Sequence, residues 1–337
     1  MTKRFPEGTF HRPASSDDAA LVAELWNACS EAIRGVRPSS PESVLKAWDH
    51  PKFDPATDSR LVFSNEDDAA GSLIGYAHVR DVKDPPVDVF AWYFVHPDFD
   101  DANWLWDDLF DWTEAEARRV IPRAPADARI ALVTGASEQG TTALREFECH
   151  GFEHSRTFHR MRIDFDERPA APAWPDGVSV RTIEPGVDDE ALVHAHREAF
   201  ADHYGHLEQP FEADLAEWRR WMGEDDFDPT LWFLAVADGN IVGFATCYAE
   251  APGDTACGLV DELGVRPAWR RRGIARALLL HAFGVLHGRG IGGATLNVDT
   301  ANRSGAPALY ERVGMRPVQS NHTYVKELRP GVDLVAQ

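Results

Sequence analysis

Between Val265 and Ala275 the chain reads Val-Arg-Pro-Ala-Trp-Arg270-Arg271-Arg272-Gly273-Ile274-Ala275. The apolar run Gly258-Leu-Val-Asp-Glu-Leu-Gly-Val265 precedes this junction, and behind it Ile274, Leu278, Ala282, Val285 and Leu286 recur near a 3.6-residue spacing. Gly273 therefore opens a helix. The amides of a helix's first turn have no intrahelical acceptor and lie at the positive end of its dipole, so they suit an anion. A residue without a side chain lets a phosphate come close. Three arginines add positive charge in a chain whose formal net charge is −21. The chemistry is that of a pyrophosphate cradle, although surface arginines at a solvated helix start give the same pattern.

A second constellation follows the apolar stretch Ala294-Thr-Leu-Asn-Val-Asp299. It runs Asn302-Arg-Ser-Gly-Ala306-Pro-Ala-Leu309-Tyr310-Glu-Arg-Val-Gly314-Met315. Ser304 is expected to cap a short helix, with Pro307 in its first turn and Gly314 closing it. Ala306, Leu309, Tyr310 and Val313 share one face, so Tyr310 by itself reads as a half-buried core aromatic.

In this order and separation the two stretches together resemble the GNAT acetyltransferase superfamily. Arg270, Gly273 and Ala275 stand at the three defining positions of its phosphate loop, Ala275 where glycine is commoner. Asn302, Leu309 and Tyr310 stand at those of its second motif, and the likeness covers residues 178 to 328. The resemblance implies acetyl-CoA as co-substrate. It would be held by the backbone of Leu263, Gly264 and Val265, by Arg270, Arg271, Arg272, Gly273, Ile274 and Ala275, and by Asn302 and Tyr310. A strand amide would polarise the acetyl carbonyl, and Tyr310 would protonate the departing thiolate.

An amine acceptor must first lose a proton, since an alkyl ammonium has a pKa of about 10 and an α-amino group about 8. Asp261 and Glu262 lie on the strand, and simple alternation puts them on opposite faces. Asp261 shares the parity of Leu263 and Val265 and is favoured as the base, acting through water. Glu262 takes its place if a bulge inverts the parity. Either carboxylate also reads as an ordinary surface or ion-paired group.

Such a unit needs about half of 337 residues, and the chain repeats itself. Asp17-Asp-Ala-Ala-Leu-Val22 returns as Asp188-Asp-Glu-Ala-Leu-Val193, Phe53-Asp-Pro55 as Phe227-Asp-Pro229, Val95-His-Pro97 as Val265-Arg-Pro267, and Gly151-Phe152 as Gly314-Met315, at offsets of 171, 174, 170 and 163. This predicts two related domains: a degenerate one over 1–165, a proline-rich linker over 166–177, and a catalytic one over 178–337. Each half reads as helix, helix, paired strands, longer strand, helix, strand, helix, strand. The expected class is α/β (α+β), each domain a mixed, mostly antiparallel sheet flanked by helices. Ser16 is expected to start the first helix.

The copies differ where the chemistry belongs. Arg270, Arg271 and Arg272 correspond to Asp100, Asp101 and Ala102; Gly273 and Ala275 correspond to Asn103 and Leu105; Tyr310 and Asn302 correspond to Phe147 and Gln139. Acid and bulk replace the features a phosphate requires, so the first copy is expected to be silent. Its stretch 98–119 predicts an amphipathic helix with Trp104, Leu105, Asp108, Leu109, Trp112 and Ala115 on one flank. Burial of that flank is favoured over a substrate-binding aromatic box.

An excess of 55 acidic over 34 basic residues opposes nucleic-acid binding. No apolar run approaches a membrane span, and residues 1–15 lack a signal-peptide core, so a cytoplasmic protein with no membrane partner is expected. Cys29, Cys149, Cys247 and Cys257 are scattered and read as reduced core or near-core thiols; no metal site is expected. The expected activity is acetyl-CoA-dependent transfer to a primary amine of a small molecule by direct attack in a ternary complex, by a monomer or homodimer. Its alternatives are a non-catalytic acyl-CoA sensor and an O-acyltransferase.

Overall fold

The computed structural model describes residues 6–64, 71–302 and 304–335. In chain order the first half holds β1 (Thr9–Arg12), α1 (Ala19–Arg34), α2 (Pro41–Trp48), α3 (Pro55–Asp58), β2 (Ser59–Ser64), β3 (Ser72–Arg80), β4 (Asp88–Val95), α4 (Asn103–Ala117), β5 (Ile130–Ser137), α5 (Thr141–Cys149) and β6 (Glu153–Asp164). The second half holds β7 (Ser179–Thr182), α6 (Asp189–Phe200), α7 (Phe211–Trp221), β8 (Trp232–Ala237), β9 (Asn240–Tyr248), β10 (Gly258–Val265), α8 (Ile274–Gly288), β11 (Gly293–Asp299), α9 (Ala306–Arg312) and β12 (Arg316–Arg329). The repeated order matches the internal repetition. The short strands β1 and β7 ahead of the first helix of each half are additions to the expected plan.

Two compact units emerge, Met1–Arg156 with Asn321–Leu334 and Thr157–Ser320 with Val335–Gln337. They differ from a division at 166–177 because each unit takes its last strand from the other copy. In the first unit β1, β2, β3 and β4 pair antiparallel in turn, β4 pairs parallel with β5, and β5 pairs antiparallel with β12 from Asn321 to Arg329. In the second, β7, β8, β9 and β10 pair antiparallel, β10 pairs parallel with β11, and β11 pairs antiparallel with β6 from Phe158 to Asp164. Both sheets are mixed and mostly antiparallel.

Strand alternation gives each sheet two buried faces. In the second unit Val242, Ala245 and Cys247 of β9 pack with Ile274, Leu278 and Phe283 of α8, whereas Ile241 and Phe244 pack with Leu192 and Val193 of α6 and Trp218 of α7. Each fully buried Leu, Ile or Phe contributes about 1.5–3 kcal/mol. In the first unit the buried stripe of α4 is Leu105, Trp106, Leu109, Phe110, Thr113 and Ala117. It is rotated from the expected flank: Trp106, outside that flank, is buried, Trp104 and Trp112 pack against the core only partly buried, and Asp108 binds Arg60 through two hydrogen bonds of 2.8 and 2.7 Å. Two details at helix starts also differ. Ser15, not Ser16, forms the cap ahead of α1, in a reciprocal box with Asp18. The cap of α9 is Gly305, not Ser304. Cys247 and Cys257 are buried and Cys29 partly so, but Cys149 is exposed rather than near-core.

Candidate active site

The loop from β10 to α8 is shaped by two left-handed residues, Arg271 at φ 62° and Gly273 at φ 88°. The second is glycine because a side chain is strained there. Nothing lies within 4 Å of the position a Cβ would take on Gly273, so the space above it is open. Along α8 the amide of Ala277 donates to the Gly273 carbonyl at 3.0 Å. The amides just ahead of it are those a helix start leaves for an anion.

The three arginines of the loop have separate fates. The guanidinium of Arg270 donates to Asp202 at 3.0 and 3.2 Å and to the carbonyls of Ala199 and Val265 at 2.8 and 3.3 Å. It ties the loop to the end of α6 and the region that follows. Arg272 donates to the Ala268 carbonyl at 3.2 Å and lies over the Trp269 ring. Arg271 is exposed and forms no hydrogen bond or ion pair with a described residue. Ile274 is buried in the core beneath the loop, leaving only its backbone at the surface of the cradle.

Two arginines outside the expected set, Arg276 and Arg312, lie nearby. They line one cavity of about 210 Å³ with Leu280, Phe283 and Val313, on α8 one turn past Gly273 and at the end of α9. Arg276 was legible as a third cation on the exposed side of the helix start, but Arg312 joins it only through the packing of α9.

β10 pairs with β11 only at Gly258 and Leu259, yet continues with β9 as far as Val265. The backbone of Asp261–Val265 therefore has an edge with no neighbouring strand among the described residues. Gly264 is needed on this strand for packing: a Cβ there would sit 2.5 Å from the Phe244 ring.

The β9–β10 ladder pairs Val260 with Cys247 and Glu262 with Thr246, leaving Asp261 as an extra, bulged residue. The bulge reverses the parity ahead of it. Val260 packs in the core beneath α8 together with Leu263 and Val265, which leaves Glu262 in phase with Gly264 on the face of Phe244 and α6. Asp261 therefore does not share a simple parity with Leu263 and Val265, and the two carboxylates are not separated by alternation. The charge of Asp261 bears on Glu262. Burial, followed by the charge of Asp261, pushes the Glu262 carboxyl up to about 8, and burial raises Asp261 as well.

Tyr310 on α9 is 7% exposed and belongs to the core beneath α8. Burial and then the charge of Glu262 push its phenol up to about 12, so the two groups sense one field. The Tyr248 hydroxyl, at the end of β9, is raised by burial and by Asp261, Asp226, Glu224 and Glu262 in turn. Asn302 builds the entry to α9: its Oδ1 accepts from the Ser304 amide at 2.7 Å and hydroxyl at 2.5 Å. Among the described residues no three His, Cys, Asp or Glu side chains converge as metal ligands, and no helix is long and apolar enough to cross a membrane.

The same region of the first unit is built differently. The Trp106 indole donates to the Asp100 carbonyl at 3.0 Å, and α4 starts at Asn103 without a left-handed residue before it. Burial raises the Asp100 carboxyl. The β4–β5 ladder stops at Phe90–Val133. Beyond it Tyr93 bonds the Thr113 hydroxyl at 2.7 Å and packs on Phe110 and on Phe147, the counterpart of Tyr310. β3 and β4 pair without a bulge, His78 opposite Trp92.

The model of the acetyltransferase (GNAT) family matches residues 190–315. A mycothiol acetyltransferase of Thermobispora bispora is 31% identical over 309 residues, 90% of this chain and 94% of that protein. The crystal structure of a GCN5-related N-acetyltransferase from Sphaerobacter thermophilus matches with a TM-score of 0.82 at 34% identity, covering 98% of this chain and 99% of that one. A tandem GNAT protein from the clavulanic acid biosynthesis pathway shares the fold, with a TM-score of 0.71 at 17% identity over 96% of this chain and 100% of that one. The duplicated order of elements, the loop at Gly273 and these full-length likenesses make the chain a member of the GNAT acetyltransferase family in its tandem form, an acyltransferase of a family whose co-substrate is acetyl-CoA.

Proposed function

We propose that the second copy transfers the acetyl group of acetyl-CoA to a primary amine of a small molecule, and that the first copy carries out no transfer. The observation that carries this reading is the bulge at Asp261, which puts Glu262 in phase with Gly264 beside the open edge of β10 and in the field of Tyr310. The amides from Arg271 to Ala275 bind the pyrophosphate, with Arg271 and Arg276 adding charge. The free edge of β10 takes the pantetheine amides as an added strand would, and one of its amides stabilises the developing oxyanion.

Glu262 accepts a proton from the acceptor's ammonium. The amine then forms its bond to the carbonyl carbon as the carbon–sulfur bond breaks. Tyr310, a phenol throughout the working range, donates to the leaving sulfur and recovers a proton from the attacking nitrogen; the proton on Glu262 leaves to solvent. A carboxyl at about 8 matches an α-amino group of about 8, whereas an alkyl ammonium of about 10 puts the transfer roughly 3 kcal/mol uphill. An α-amine is therefore the favoured acceptor. A small-molecule acceptor is also supported by a full-length relative named mycothiol acetyltransferase.

The test is thiol release from acetyl-CoA with cysteinyl sugars, aminoglycosides, polyamines, amino acids and peptides, with Gly273→Glu as the coenzyme-site control. Release with an α-amine, the acetylated amine seen by mass spectrometry and loss of both in the control are expected. Turnover only with hydroxyl acceptors, or coenzyme binding with no turnover on any amine, overturns the reading.

A further inference from the structure

A bulge costs a strand part of its ladder, and the bulge in β10 leaves the Glu262 amide to find an acceptor. It finds a side chain: the Glu262 N–H donates to Thr246 Oγ1 at 3.1 Å. Thr246 is the cross-strand neighbour of Glu262 on β9 and is 2% exposed, so no water competes for that hydroxyl. The first unit offers an internal control. There the equivalent pair, His78 opposite Trp92, sits in an uninterrupted ladder with its rings stacked at 4.6 Å. A bulge and a hydroxyl acceptor occur together in the copy that carries Tyr310, and neither occurs at this place in the copy that carries Phe147.

We infer that Thr246 is a positioning residue: its hydroxyl holds the β10 bulge in place, and through the bulge it keeps Glu262 in phase with Gly264, on the face of Phe244 and α6. This rests on the reading of Glu262 as the proton acceptor. Removing the hydroxyl leaves a buried amide unpaired. The strand escapes that penalty by slipping back toward an uninterrupted ladder, which changes the face on which Glu262 projects. The charged and titratable groups that bear on Glu262 and Tyr248 are Asp261 on β10, Tyr310 on α9, and Glu224 and Asp226 after α7. His196, on the aromatic face of α6 against Phe244, is held neutral by burial, down to about 4.

The experiment reads the carboxyl itself, so it needs no acceptor. In protein labelled with carboxyl-¹³C glutamate, the side-chain resonance missing from Glu262→Gln identifies Glu262, and its titration is followed in wild type, Thr246→Val and Thr246→Ser, with the fold checked by circular dichroism. Thr246→Val is expected to lower the Glu262 midpoint by about one pH unit or more as the carboxyl leaves its buried seat, and Thr246→Ser to restore it. Thr246→Ala is read in the same way if the valine variant does not fold. A midpoint in Thr246→Val or Thr246→Ala equal to that of wild type overturns the assignment of Thr246. A wild-type Glu262 that titrates in the ordinary carboxylate range instead overturns the underlying reading of Glu262.

Discussion

Arg270 of the phosphate loop and Asp202, two residues beyond α6, grip each other through paired hydrogen bonds of 3.0 and 3.2 Å. That grip lowers the Asp202 carboxyl below its ordinary value. An exposed ion pair alone is worth little, but this guanidinium also reaches the carbonyls of Ala199 and Val265 and so fixes the strand end from which the loop departs. Arg270→Ala and Asp202→Ala should each weaken acetyl-CoA binding by roughly 3- to 10-fold, and the double variant no more than the worse single one. Calorimetric titration in a double-mutant cycle measures this. Additive losses would mean that Arg270 touches the coenzyme independently of Asp202.

Glu262 gives a pH dependence with a definite sign. Its carboxyl is held up to about 8 by burial, so the base form grows in as pH rises, and kcat/KM should climb through about pH 8. Glu262→Gln should lose about 10²-fold or more in rate, together with that rising limb. Stability runs the other way. The folded-state value lies above the unfolded one, so the native protein loses stability as pH rises from the ordinary carboxylate range through about 8. Glu262→Gln should therefore become more stable relative to wild type across that window, by on the order of 3 kcal/mol at its upper end. Urea unfolding at pH 5, 7 and 9 checks it.

Tyr310 is raised to about 12 and stays a phenol at every pH the fold tolerates. The falling alkaline limb should accordingly be missing: above the rise set by Glu262, kcat is expected to hold level to about pH 10. Tyr310→Phe keeps the core packing and removes the donor. It should lower kcat by about 10²-fold with acetyl-CoA affinity nearly unchanged. An unaltered kcat in single-turnover assays would leave Tyr310 as a core residue only.

The second copy's loop and both its flanking elements were legible in the sequence because each is specified locally. Gly273, the arginines and the helical period fall within one short stretch, and Tyr310 follows from its place on α9. What failed depended on distant partners. Asp261 and Glu262 could not be assigned to faces, since the bulge is a property of the β9–β10 register and of the Thr246 hydroxyl, 16 residues away. The grip of Arg270 on Asp202, 68 residues away, was likewise invisible in the sequence. β1 and β7 are four residues each, too short to show an alternation. The repeat revealed two copies, but sequence repetition says nothing about which sheet receives which closing strand.

That exchange makes the second unit's dependence on residues before 166 testable by truncation. β6 pairs with β11 from Phe158 to Asp164, and Met161 lies in the core beneath α8 at 2% exposure. A fragment starting at Thr157 retains this strand. One starting at Asp166 exposes the whole edge of β11, opens the core at Met161, and at the loss of a buried Met side chain and a ladder should fall below the stability of a marginal domain. Both fragments carry β12 from Asn321 onward without β5, so that defect is common to the two and cancels in the comparison. The longer fragment should bind acetyl-CoA and unfold cooperatively; the shorter should show neither the binding nor a cooperative transition. Circular dichroism melts and calorimetric titration distinguish them. Equal folding of the two fragments would show that β6 is dispensable to the sheet that carries the site.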